Sequence, residues 1–196
     1  QMYFINVRVT DTATNTAVFS SNGQVVLPTL SFTLSSGSIT FSNLNPSNSF
    51  TDTEITTLTT STNAYWGYVI RLFKADSLRS TLFPTVTISD FAGGSYASPD
   101  GWLETDYGFG YTSSDTSVQG VDKFNPTTCA GGNPSPCYAP FSSTQPGDIV
   151  ADHTANVSGS PVSNEQFNIT YKVKTTDIQA AGSYTTTLIY TVTPQY

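Results

Sequence analysis

Near the C-terminus, large side chains occupy every second position of two stretches, and a period of two dictates strand because only an extended chain sends alternate residues to opposite faces. In residues 168–174, NITYKVK, Ile169, Tyr171 and Val173 fall on one face, with Asn168, Thr170, Lys172 and Lys174 on the other. After a QAAG turn, Tyr184, Thr186, Leu188, Tyr190 and Val192 alternate along a last strand. One apolar and one polar face describe a half-exposed antiparallel strand, so Ile169, Tyr171, Val173, Leu188, Tyr190 and Val192 are expected in one core.

The same period opens the chain. In YFINVRV, residues 3–9, Tyr3, Ile5, Val7 and Val9 alternate with Phe4, Asn6 and Arg8, and a polar TDTATNT follows. Further strands are expected at 16–20, 24–34 with a break near Pro28, 38–42, 53–60, 65–73 and 84–89, separated by Gly, Asn, Ser and Pro clusters. Only KADSLRSTLF, 74–83, has helical spacing, enough for a single capping turn. From 90 to 165 the texture becomes Gly/Pro/Ser-rich loop with isolated aromatics, an excursion expected to carry short strands at 102–112 and 118–124. This spacing predicts an all-β chain: an antiparallel β-sandwich, jelly-roll-like, with long loop excursions and at most one short helical turn. A length of 196 residues suits a single domain over 1–196.

Charge narrows the partners. Charged residues are 11% of the chain, against about 25% in ordinary soluble domains, so Ser and Thr must supply the surface, and β-branched Thr favours strand. A net charge of −7 with only 7 Lys and Arg argues against nucleic acid and against an anionic membrane surface, both of which need clustered cations. No window approaches the roughly 20 apolar residues of a membrane-spanning helix, so no membrane insertion is expected. Cys129 and Cys137 bracket AGGNPSP; a local disulfide across this irregular loop implies an oxidising, extracytoplasmic location. Gln1 begins abruptly within an apolar strand pattern, as the mature end left by a cleaved leader does.

STNAYWGYVIRL at 61–72, GFGYTSSD at 108–115 and the close YKVKTTDIQAAGSYTTTLIYTVTPQY at 171–196 together resemble a recurrent family of secreted, Ser/Thr-rich β-sandwich surface proteins of small-genome candidate-phylum bacteria. The A-G-x-Y-x-x-x-L/I-x-Y close is shared loosely by pilus-like surface β-domains. The resemblance implies a surface location and a sandwich fold, and no mechanism.

The polar residues form no catalytic signature. His153, the only histidine, lies near Asp148 and Asp152 in GDIVADH, but no G-x-S-x-G elbow or similar strained Ser turn accompanies it. Glu104 and Asp106 would share a face of one strand, without the opposing carboxylate that glycosidase chemistry needs. Asp100 and Asp106 are the calcium candidates of an acidic cluster with Glu104, Asp115 and Asp122. The cluster lacks the regular spacing of a calcium loop, so no metal or cofactor is assigned. Asn156 in Asn-Val-Ser and Asn168 in Asn-Ile-Thr are glycosylation candidates. Tyr65, Trp66, Tyr68, Tyr96, Trp102, Tyr107, Phe109 and Tyr111 could make a sugar-stacking platform or fill a core. The resulting expectation is a non-enzymatic structural subunit of an extracellular filament, pilus-like fibre or cell-surface coat. Residues 1–12 hold a candidate donor strand (Tyr3, Ile5, Val7, Val9), and the partners are identical subunits in a homopolymer. The alternative is a surface adhesin or carbohydrate-binding module that takes host or environmental glycans.

Overall fold

The computed structural model describes residues 2–3, 6–10, 16–20, 24–125, 127, 129, 136–154 and 159–196. The chain is all-β and antiparallel. Near the N-terminus β1 (Met2–Tyr3), β2 (Asn6–Thr10), β3 (Thr16–Ser20) and β4 (Gln24–Val25) form two nested ladders, β1 with β4 and β2 with β3. There follow β5 (Leu30–Leu34), β6 (Thr51–Thr62), β7 (Tyr68–Lys74), β8 (Leu78–Ser80), β9 (Thr87–Ile88), β10 (Asp100–Gly101) and β11 (Gly108–Ser113). The last are β12 (Cys137–Tyr138), β13 (Asp148–His153), β14 (Val162–Lys174), β15 (Tyr184–Thr185) and β16 (Leu188–Pro194).

Two sheets face each other, one in the order β11-β14-β6-β5 and the other β13-β7-β16. A small third sheet, β15-β8-β9, lies at one end. The inward residues of β14, β6 and β7 follow the period of two: Ile169, Tyr171 and Val173 of β14 and Leu58 of β6 lie in one core with Tyr68, Ile70 and Leu72 of β7, which Val150 of β13 joins. Phe109, Tyr111, Phe124 and Phe141 fill the space between, with ring centroids 4.5 Å apart for Phe109 and Phe141 and 5.0 Å for Tyr111 and Phe141. Ser113 Oγ ties the sheets by donating to the Val150 carbonyl at 2.5 Å.

Several sequence expectations change. The 74–83 stretch is not helical: Leu78 and Ser80 point inward and Arg79 outward, and this period of two suits β8, which pairs with β9 and β15. Among the described residues, short 3-10 turns sit instead at Pro46–Asn48 and Val118–Gly120. At the first, the Asn45 side chain accepts from Ser47 N–H at 2.9 Å while the Asn48 side chain accepts from Asn45 N–H at 2.9 Å, a reciprocal cap. The second replaces the strand expected over 118–124. Residues 38–42 form no strand; Ile39 and Phe41 instead lie against the core. Of 84–89 only Thr87–Ile88 is strand, and Tyr65 and Trp66 belong to the turn before β7.

The loop-rich 90–165 stretch contributes β13, a strand of the core. Ile149, Val150 and Ala151 are all buried because the register shifts between Ile149 and Ala151, so β13 carries no alternation to read. Thr, expected on the surface, also lines the interior. Pairing with β14 turns Thr56, Thr60 and Thr62 of β6 inward with Leu58 and sends Ile55 out.

Candidate functional site

The two edges at one side of the sandwich are β5 and β16, and among the described residues neither has a second strand partner. At the opposite side β11 is covered, since its Phe109 bonds to Ser89 and Phe91 and its Tyr111 exchanges hydrogen bonds with Ala139. The open side therefore holds the outer edges of β5 and β16, neither paired among the described residues. Thr187 C=O accepts from Ala75 N–H, and Gln195 N–H donates to Gly67 C=O; both bonds run along the β7 side. The antiparallel ladder between them is unbroken, so odd-numbered residues serve β7, and Leu188, Tyr190 and Val192 turn their N–H and C=O groups to the open edge. Pro194, the next in that series, has no N–H to present there.

Behind this edge is a groove of about 340 Å³ between the sheets. Leu34, Ile39 and Phe41 form one wall, Leu188 and Tyr190 the other, and Tyr171, Phe109 and Leu78 lie along it. Phe32 on β5 and Tyr190 on β16 meet across the opening with ring centroids 6.4 Å apart. At the base the Tyr171 and Tyr190 hydroxyls are hydrogen-bonded, and burial raises both above the usual phenol range, so they stay protonated. Along β16 the side chains alternate half-buried and exposed, and none is fully buried. Ser36, Ser38, Thr56, Thr185, Thr186 and Thr187 also line the groove, and mixed apolar and hydroxyl surface beside a strand edge unpaired among the described residues offers both main-chain hydrogen bonds and room for side chains.

Leu188, Tyr190 and Val192 thus share the inward face expected of them, but as the half-covered wall of a groove. Leu188→Ala is expected to cost about 1–2 kcal/mol, below the range for a fully buried leucine, and Thr187→Ala close to nothing. Urea denaturation of the two variants checks this; equal losses would mean that the register of β16 is wrong.

Of the candidate donor-strand residues, Ile5 lies outside the described residues, while Tyr3, Val7 and Val9 fall in the N-terminal ladders, where Val7 is opposite Phe19 and Val9 opposite Ala17. Those ladders are separate two-stranded sheets and, among the described residues, pair with neither sheet of the sandwich. Cys129 is bonded to Cys137 with their Cα atoms 5.5 Å apart, and Cys137 lies in β12, which pairs with β10. Asn156 lies outside the described residues. Asn168 projects from the exposed face of β14, where its side-chain oxygen accepts from Thr57 Oγ1 at 2.8 Å.

Asp100 and Asp106 serve their own loops, while Asp115 also reaches β13. Asp100 accepts from Gly101 N–H at 2.7 Å and Asp106 from Leu103 N–H at 2.7 Å, while Asp115 accepts from Ser117 N–H at 3.0 Å and Asp152 N–H at 2.9 Å. Among the described residues no three His, Cys, Asp or Glu side chains are grouped to hold a metal ion. His153 meets neither Asp148 nor Asp152 through its ring. Its Nδ1 is 2.9 Å from Glu165, which also accepts from the Tyr68 hydroxyl at 2.6 Å, a partnership between β13, β14 and β7 that no sequence spacing signals.

The aromatic set disperses. Tyr68, Phe109 and Tyr111 are core residues, and Trp102 stacks on Phe91 at 4.4 Å, with the Lys172 ammonium 4.8 Å from the Trp102 ring centroid. Tyr96 donates to the Ile149 carbonyl at 2.9 Å and lies under Lys123. Of the eight, Tyr65, Trp66 and Tyr107 remain exposed. No helix among the described residues is long and apolar enough to cross a membrane.

No protein-family model and no curated protein matches the chain. Among solved structures, the CooA pilin subunit from enterotoxigenic Escherichia coli is similar at 17% identity and a TM-score of 0.39, over 86% of this chain and 90% of that one.

Proposed function

We propose that this chain is a structural subunit of an extracellular filament, pilus-like fibre or cell-surface coat, and that copies join by β-strand addition. The observation that carries the reading is the edge of β16, unpaired among the described residues, beside the groove. A strand placed there receives main-chain hydrogen bonds from Leu188, Tyr190 and Val192 and closes the core on its open side. The occupant is the N-terminal segment of a second copy. Tyr3 to Val9 spans the same length as the 7 residues of β16, and its alternating Tyr3, Ile5, Val7 and Val9 supply side chains at the spacing of the pockets. Among the described residues β1 pairs with β4 and β2 with β3, so their exchange breaks no described pairing of the two facing sheets. Donor and groove are different patches of one chain, and such a contact repeats head to tail into an open filament. The adhesin alternative rests on the adjacent exposed rings of Tyr65 and Trp66, with centroids 4.7 Å apart, which is little surface for a sugar.

Deleting residues 1–10 tests the proposal. The truncated chain is expected to stay folded and lose polymerisation, as read by thermal melting and negative-stain microscopy. A synthetic peptide of residues 1–10 is expected to bind it and raise its melting temperature. Filaments formed by the truncated chain would refute strand addition through this segment.

A further inference from the structure

Lys74 occupies a position that the fold reserves for hydrophobic residues. It continues the inward series Tyr68, Ile70 and Leu72 of β7, and its side chain is only 4% exposed. A chain with 7 Lys and Arg spends one of them in its core, against the strong tendency of lysine to stay at the surface. The ammonium lies 5.9 Å from the centroid of the buried Phe141 ring, and Nζ is in direct contact with Oδ1 of Asp90.

Both partners have fixed backbones. Lys74 N–H donates to the Ser142 carbonyl at 2.8 Å and the residue pairs with Leu188; Asp90 is bridged to Phe109, whose N–H and C=O bond to Ser89 and Phe91 at 2.9 Å each. Gly108 permits this approach, because a Cβ there would come within 2.7 Å of the Asp90 carbonyl. Amine and carboxyl are therefore held against each other, Lys74 at the end of β7 and Asp90 at an isolated bridge to β11, at the neck of the segment that carries β8 and β9.

We infer that Lys74 and Asp90 condense into an intramolecular isopeptide bond. Transfer of one ammonium proton to the carboxylate leaves a neutral amine facing a carboxylic acid. The Nζ lone pair adds to Cγ, forming the C–N bond; the Cγ–OH bond breaks, and the hydroxyl departs with a second Nζ proton as water. The third hydrogen remains on the amide, so ammonium and carboxylate become amide and water with no redox partner. Two features favour the product. Reactants held in contact have an effective molarity of about 10⁵–10⁸ M in well-oriented cases, and the amide removes the charge of a lysine whose side chain is only 4% exposed, beside an Asp90 side chain that is 34% exposed. The bond would join β7 of one sheet to the edge of β11 in the other and close a covalent ring around β8 and β9. It does not depend on how copies assemble.

The intact mass of the reduced, denatured full chain decides. The expected mass is lower than that of the sequence by one water, with Lys74 resistant to trypsin and a branched peptide that joins the segments around Lys74 and Asp90. Lys74→Arg keeps the cation but cannot condense in this way, and it is expected to restore the full mass and lower the melting temperature. A wild-type chain at full sequence mass, with Lys74 and Asp90 in unbranched peptides, would overturn the inference and leave an ion pair. So would a lost water that maps to one unbranched peptide, as an aspartyl succinimide gives.

Discussion

Gly67→Ala is expected to destabilise the chain by at least about 3 kcal/mol, the largest loss from a single added methyl group. Gly67 has φ +72°, and a Cβ built on it would lie 1.6 Å from the carbonyl oxygen of His153. That oxygen is main chain, at the end of β13 where His153 pairs with Tyr68, so no side-chain rotation relieves the overlap. Either β13 withdraws from β7, or Gly67 moves and gives up the hydrogen bond from Gln195 N–H that anchors the end of β16. Both routes loosen the β13-β7-β16 sheet. Gly120 supplies the control: its φ is +70°, and a Cβ there would have nothing within 4 Å, so Gly120→Ala carries the conformational cost alone, about 1 kcal/mol. Urea denaturation of both variants measures the difference. Equal losses would show that the contact between Gly67 and His153 is not close.

Tyr171→Ala is expected to cost about 3–5 kcal/mol, the range for removing a buried aromatic ring. Tyr171 is fully buried at the centre of β14, opposite Tyr111 on β11, with its ring 6.4 Å from that of Phe141 and its hydroxyl bonded to Tyr190. The change opens a cavity where both facing sheets and the groove converge. Tyr171→Phe separates packing from polarity: it keeps the ring and loses only the hydrogen bond, at a cost of about 0.5–1.5 kcal/mol. A Tyr171→Ala loss no greater than that of Tyr171→Phe would mean that the site refills and that Tyr171 is not a central core residue.

How much of this is legible in the chain depends on whether the signal is local. Ile169, Tyr171 and Val173 alternate against Thr170 and Lys172, and they lie on the buried face of β14. That reading works because side-chain direction in a strand is set by the backbone alone. It fails in β13, where a bulge buries Ile149, Val150 and Ala151 together, and in β6, where pairing with β14 decides that Thr56 and Thr60 face the core while Ile55 faces water. Around Leu78 it also fails, because three residues of strand are too few for a period to outweigh helical spacing, and only the ladders to β9 and β15 select the extended form.

The site divides in the same way. The short separation of Cys129 and Cys137 points to their pairing, and the alternation from Tyr3 to Val9 marks a strand. By itself the sequence determined an all-β chain of half-apolar strands on an uncharged surface, because composition and alternation act residue by residue. Only the tertiary structure decided that β16 is an edge over a groove, that His153 meets Glu165, and that Lys74 meets Asp90 in the core. Each of these depends on which strands become neighbours, and strand order follows from the burial of whole faces, a property no single segment carries.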